Sequence, residues 1–251
     1  MPTLSINGNT IECNLAIFDM DGTIIDIKDR VEMMAKVRAE IMKKTIGDNA
    51  TELWAKASGI DLKTGRVRYR FALTSAPRRE DLIVAATVIA INGEGWIEAK
   101  KIAEQIYTEA DSILASTYKP ILLPGIKKAL RSMKDAGIKL ALATNAPNVS
   151  AENLMKSVNL TGVFDIIIGT DDVVNPKPAP DMILLACERC GCRPDEAVYV
   201  GDMPMDMIAG RRAGVTAVIA VKSEFFSESG YSDYDSFIDT YDKMRARESS
   251  S

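Results

Sequence analysis

Asp19 and Asp21 stand two residues apart in the segment Asp19-Met20-Asp21-Gly22-Thr23, directly after the apolar run Leu15-Ala16-Ile17-Phe18. Four continuous apolar residues suit a short strand covered on both faces better than a surface helix. Carboxylates at the tip of such a strand are costly to place, and like charges this close each need a cation, a proton or a hydrogen-bond donor. Within a strand, period-2 alternation aims both the same way, whereas a turn past the strand end separates their roles. A divalent metal would relieve the repulsion. The chain has no His, which removes the Ser-His-Asp arrangement and histidine-based zinc sites. Acid-base work therefore falls on carboxylates, Lys, Tyr or Cys, and an aspartate-based mechanism fits.

Three later stretches carry comparable residues. Thr144-Asn145 end the strand-like Leu140-Ala141-Leu142-Ala143. Lys177 lies in Asn175-Pro176-Lys177-Pro178-Ala179-Pro180-Asp181. Gly201-Asp202 closes Ala197-Val198-Tyr199-Val200, with Asp206 four residues on. Each has a plainer reading: Asp21-Gly22 as a turn, Asp202 as the cap of a following helix, Thr144-Asn145 as a turn before Pro147, and Lys177 as a solvated loop residue.

The elements that must position these residues alternate. Asn7-Gly8 between short alternating runs predicts a hairpin over 3–11. Past Pro124 the pattern predicts helix 126–136, strand 139–143, helix 150–158, strand 164–168, helix 179–190, strand 197–200, helix 206–213 and strand 217–221. Strands alternating with helices imply a parallel sheet with right-handed crossovers, so Asp19, Thr144 and Asp202 should meet at one sheet edge. Between them, 28–118 reads as helical: Val31, Met34, Val37 and Ile41 at helical spacing to about Thr45, then 51–58, 79–91 and 95–117. The expected organisation is an α/β unit of 1–27 and 119–251 interrupted by a helical unit, 28–118. Ser249–Ser251 reads as a frayed tail.

The four stretches, in this order, resemble the motifs of the haloacid dehalogenase superfamily: DxDGT, a strand ending in Thr-Asn, a lysine motif, and GDxxxD. The resemblance spans almost the whole chain outside 28–118. It implies a Rossmann-like α/β core with a separate helical cap inserted after the first motif strand, as in the phosphoglycolate phosphatase and β-phosphoglucomutase-like branch. It further implies Mg²⁺-dependent phosphoryl transfer from a small phosphorylated metabolite. On that resemblance Asp19 is the nucleophile forming an aspartyl-phosphate, and Asp21 the general acid and base. Thr144 and Asn145 bind phosphate oxygens, and Lys177 neutralises charge. The Asp19 carboxylate, the Asp21 carbonyl and the Asp202 carboxylate hold Mg²⁺, with Asp206, Gly22 and Thr23 in support. Residues 197–214 look closest to the phosphoglycolate branch. A departure is Met203 after Gly-Asp, where many relatives carry a hydroxyl residue. The alternatives are a β-phosphoglucomutase-type mutase and a non-catalytic phosphate-binding member.

Net charge is −4, so no basic field favours nucleic acid or an anionic membrane. No apolar stretch reaches the roughly 18 residues of a spanning helix. Met1–Asn14 has neither a basic start nor an apolar signal core, so a cytoplasmic location is expected. Cys187, Cys190 and Cys192 read as small apolar residues at a helix end before Gly191. Arg66, Arg68, Arg70, Arg78 and Arg79 read as a solvated face or as partners of Glu80 and Asp81, the sharper alternative being an anionic substrate tail. Met and Ala in 82–117 permit either a monomer or a homodimer.

Overall fold

Leu15, Ala16, Ile17 and Phe18 form a strand whose residues are all buried, as a continuously apolar run requires. The computed structural model describes residues 1–68, 71–223, 226 and 231–248. Tyr69, Arg70 and the expected tail Ser249–Ser251 lie outside them. The chain divides into two compact units, Met1–Ile27 with Pro120–Ser251, and Lys28–Lys119.

In the first unit, β1 (Thr3–Ile6) and β2 (Asn9–Glu12) form the hairpin. Ile6 pairs with Asn9, leaving Asn7 and Gly8 as a two-residue turn at φ 51° and 88°, the positive values that match hairpin twist. The main sheet contains β3 (Leu15–Phe18), β4 (Lys139–Ala143), β5 (Ile166–Ile168), β6 (Ala197–Gly201), β7 (Ala217–Val221) and β8 (Ser236–Ile238). Its order is β5-β4-β3-β6-β7-β8, and every pairing is parallel. A last strand, β9 (Met244–Arg247), pairs antiparallel with β1.

The period-2 pleat divides the core between the two sheet faces. Ala16, Phe18, Leu140, Leu142, Val198 and Val200 pack with residues of the helices Ile126–Asp135 and Asn148–Ser157 and with Leu4, Ile6 and Met244. Leu15, Ile17, Ala141, Ala143 and Tyr199 pack with Met182, Ile183, Ala186 and Cys187 of Asp181–Cys190 and with Ala209 and Ala213 of Pro204–Ala213. Asp19 continues the parity of Ile17 and Tyr199, toward this second face. Cys187 and Cys190 are buried there, unpaired, ahead of Gly191 in the left-handed region that ends the helix. Burial pushes the Cys187 thiol up to about 12, so it behaves as a small apolar group.

The second unit contains the helices Lys28–Ile46, Asp48–Ser58, Ala72–Ser75, Arg78–Ile91 and Trp96–Thr117. Its interior holds an ion pair between Arg38 and Asp81 at 2.7 Å, with the guanidinium 3.8 Å from the Tyr107 ring centroid. The expected partners of Asp81, the arginines near 66–79, are thus replaced by Arg38, while Arg66 and Arg68 are exposed and Arg78 pairs with Asp111 at 2.7 Å. No helix among the described residues is long and apolar enough to cross a membrane.

Removing one partner of a buried ion pair strands the other charge, which costs far more than the pair contributes. Asp81→Ala should lower the stability of the helical unit by about 3–5 kcal/mol. Both tryptophans, Trp54 and Trp96, lie in this unit, so urea unfolding followed by Trp fluorescence reads the effect. An unchanged midpoint would show that Arg38 finds other compensation.

Candidate active site

Because β3 lies between β4 and β6 in a parallel sheet, the carboxyl ends of three adjacent strands carry Asp19, Thr144 and Asp202 to one edge. Open α/β sheets hold their ligands at such an edge. The Asp19 N–H still donates to the Val200 carbonyl at 2.9 Å, and the Thr144 N–H to Ile168 at 3.0 Å. Ladder bonding therefore runs up to the residues whose side chains leave the sheet.

Lys177 is the centre of this cluster. Its side chain is 2 % exposed, and Nζ donates to Asp19 Oδ1 at 2.5 Å, to Asp206 Oδ1 at 2.7 Å and to the Tyr199 hydroxyl at 3.1 Å. An ammonium has three protons, so each is matched by a protein acceptor. The Lys177 main chain is clamped by Asn145, whose Oδ1 accepts from Lys177 N and whose Nδ2 donates to Lys177 O, both at 3.1 Å. Asn145 thus ties the end of β4 to the lysine loop through its side chain. Thr144 is buried, and its Oγ1 accepts from Ala146 N at 3.2 Å.

Asp206, rather than Asp202, caps the helix Pro204–Ala213: its Oδ2 accepts from Met203 N at 2.9 Å. Its Oδ1 accepts from both Lys177 and the Tyr199 hydroxyl. Asp202 is buried; Thr23 Oγ1 donates to its Oδ1 at 3.4 Å, while Oδ2 has no hydrogen-bond partner among the described residues. Asp21 is partly exposed and pairs through its backbone with Ile25.

Two glycines allow these approaches. Gly22 has φ 81°, and a Cβ there would lie 2.0 Å from Asp202 Oδ2. A Cβ on Gly201 would lie 2.4 Å from Asp206 Cβ.

The electrostatics are those of excess negative charge. Oxygens of Asp19, Asp202 and Asp206 lie within 4.8 Å of one another, and among the described residues Lys177 is the ammonium bonded to them. Burial pushes the Asp19 carboxyl up; the Lys177 charge pulls it down and the Asp206 charge raises it, leaving it at about 6. Asp202 is held well above the carboxylate range by burial and then by the Asp19 and Asp206 charges. Burial opposes the Lys177 charge, but Asp19 and Asp206 more than offset it. Tyr199 keeps its proton because burial, then the Asp206 charge, hold it well above the ordinary phenol range.

These residues fit a small hard cation. The donors are carboxylate oxygens, which suit Mg²⁺, and Asp202 Oδ2, without a hydrogen-bond partner among the described residues, is a buried acceptor open to a cation. Asp206 is engaged with three donors, so Asp19 and Asp202 are the side chains suited to ligation. The sequence reasoning did not assign Tyr199 or the Asn145 side chain. The signal for Tyr199 was a hydroxyl-bearing residue on the parity of Asp19 in an otherwise apolar strand; nothing in the sequence pairs Asn145 with Lys177. The cysteines do not join a metal-ligand cluster among the described residues.

The sequence model of the family described as haloacid dehalogenase-like hydrolase matches residues 16–221. A phosphoglycolate phosphatase of Escherichia coli (strain K12) is 27% identical over 203 residues, covering 80% of this chain and 78% of the relative. Among solved structures, a predicted phosphoglycolate phosphatase from Haemophilus somnus superposes with a TM-score of 0.67 at 18% identity, over 92% of this chain and 96% of its own. A β-phosphoglucomutase from Clostridium difficile gives a TM-score of 0.61 at 18% identity, over 92% of each chain. At such identities the structural likeness speaks to the fold.

Gly22→Ala places a side chain where the Asp202 carboxylate lies and forces a left-handed φ on an L residue. It should lower the unfolding free energy by at least about 1 kcal/mol, measured by denaturant titration. A variant as stable as the parent would show that the carboxylate yields without cost.

Proposed function

The chain belongs to the haloacid dehalogenase-like hydrolases, and from that premise we propose that it is a Mg²⁺-dependent phosphatase acting on a small organic phosphomonoester. The observation that carries this reading is the buried ammonium of Lys177 bonded to Asp19 at 2.5 Å, within a cluster holding more carboxylates than cations. A carboxylate kept ionised by a neighbouring ammonium is a usable nucleophile, and burial removes the water that would shield its charge.

In this mechanism an Asp19 carboxylate oxygen attacks phosphorus in line with the departing oxygen. The bond to the leaving group breaks, and Asp21 gives that oxygen a proton. Asp21 then takes a proton from water, the water oxygen attacks phosphorus, and the Asp19–phosphorus bond breaks to return the carboxylate and release phosphate. Thr144 and Asn145 bind the phosphate oxygens, while the Lys177 charge steadies Asp19 and the arriving phosphate. Asp206 and Tyr199 hold Lys177, Thr23 holds Asp202, and Gly22 leaves room for it. The Asp19 and Asp202 carboxylates and the Asp21 carbonyl would hold Mg²⁺, which would supply positive charge against the transferring group.

All of these residues lie in the α/β unit; on the family resemblance the helical unit of residues 28–119 is the cap, and the choice among leaving groups is assigned to it on that resemblance alone. Phosphoglycolate is the leading substrate, on the likeness of the curated phosphatases; action at a cytoplasmic metabolite of this kind requires no membrane or nucleic-acid partner.

Phosphate release from a panel that includes phosphoglycolate and hexose phosphates, with Mg²⁺ or excess chelator, tests the reading. Release on at least one member that stops with chelator is expected. Conversion of a hexose phosphate to its isomer without release would favour the mutase, and silence from folded protein would remove the phosphatase. Asp19→Asn should cut turnover by at least about 10⁴-fold while the fold persists by circular dichroism; substantial residual turnover would remove the nucleophile assignment.

A further inference from the structure

Lys177 can serve Asp19 only if its ammonium is held in one direction, and a lysine side chain has four rotatable bonds with which to wander. Two carboxylates alone do not fix it, because an ammonium pivoting between Asp19 and Asp206 keeps both attractions over a range of angles. The third contact removes that freedom. The Tyr199 hydroxyl accepts from Lys177 Nζ at 3.1 Å and donates to Asp206 Oδ1 at 2.9 Å, closing a triangle with the Lys177–Asp206 bond of 2.7 Å.

The phenol is itself immobile. Tyr199 is fully buried on β6, opposite Ile17 of β3 in the parallel register, and packs with Leu15, Ile17, Ala209 and other residues of the second core face. Its oxygen is therefore placed by the sheet, as Asp206 is placed by its cap bond to Met203 N, whereas the ammonium on its long side chain is not.

Resting on the phosphatase reading, we propose that Tyr199 is a positioning residue for the reaction: its hydroxyl orients the Lys177 ammonium onto Asp19 by bridging Lys177 and Asp206. Tyr199 touches neither phosphate nor the reacting atoms in this scheme, and it acts through Lys177. Without the hydroxyl, one buried N–H of the ammonium loses its acceptor and Asp206 Oδ1 loses a donor. The lysine then settles toward Asp206, the carboxylate that also caps a helix and is least free to move, at the expense of Asp19.

The test is Tyr199→Phe, which deletes one oxygen and keeps the ring contacts, assayed for metal-dependent phosphate release beside the parent on the preferred member of the panel. The expected result is a kcat lower by roughly 10-fold or more, KM within about twofold, and a folded protein by near-ultraviolet circular dichroism. In the Asp206→Ala background, which removes the shared acceptor, the same substitution should cost much less, because the bridge is already broken; a purely structural tyrosine would cost the same in both. Unchanged kcat in an active series overturns the inference and leaves the phosphatase reading standing. So does a Tyr199→Phe protein that fails to fold, since the hydroxyl would then belong to the stability of the sheet. An inactive parent overturns the phosphatase reading and this inference with it.

Discussion

A single ammonium with three buried acceptors is the constraint around which the α/β unit is arranged. Burying Lys177 carries a desolvation cost of several kcal/mol for the charge, and that is offset only if every proton meets an acceptor. Asp19, Asp206 and Tyr199 meet them, and these three come from the end of β3, the first turn of the helix Pro204–Ala213 and the middle of β6. Asn145 at the end of β4 adds a fourth segment by clamping the lysine main chain. The end of β3, the middle of β6 and the helix after β6 are therefore tied together by one side chain, and a shift of Asp19, Tyr199 or Asp206 would leave a proton of the buried ammonium unmatched.

The same arrangement leaves a surplus. Lys177 bonds two of a cluster of three carboxylates, and the third, Asp202, keeps an Oδ2 with no hydrogen-bond partner among the described residues. A fold selected for stability alone would not retain this. Replacing such a group by an apolar residue of similar size is often neutral or stabilising, yet here Gly22 and Gly201 have given up side chains so that Asp202 and Asp206 fit. The accommodation by neighbouring backbone marks the carboxylates as the fixed requirement and the glycines as the response to it.

Much of this was legible in the sequence, and for a common reason. Strands 139–143 and 217–221 coincide with the observed ones, because a strand buried on both faces is a continuous apolar run bounded by polar residues. Asp19, Thr144 and Asp202 meet as the alternation of strands and helices requires, since crossover handedness and parallel pairing leave few arrangements. The strands Ser236–Ile238 and Met244–Arg247 were not anticipated. Each has only three or four residues, and Met244–Arg247 owes its place to β1, more than two hundred residues away. The pairing of Arg38 with Asp81 escaped for a related reason, since helical spacing identifies a buried face but not which charges face each other across it. Asn145 was read as a phosphate-binding residue, and its side-chain grip on Lys177 depends on a loop conformation that carries no periodic signal.

Every interaction of the carboxylate–lysine cluster answers to a requirement that is independent of the leaving group. Lys177 needs acceptors, Asp19 and Asp206 supply two of them, and Asp202 needs room beside Gly22. None of these depends on what the phosphate is esterified to. Chains with different substrates can therefore share the same fold, and a fold in common with both a predicted phosphoglycolate phosphatase and a β-phosphoglucomutase accords with this. Discrimination between small acids and sugars requires groups that match the hydroxyls or carboxylate of the leaving part. Those groups are free to vary because no buried charge depends on them, which leaves the choice of substrate to residues outside the cluster.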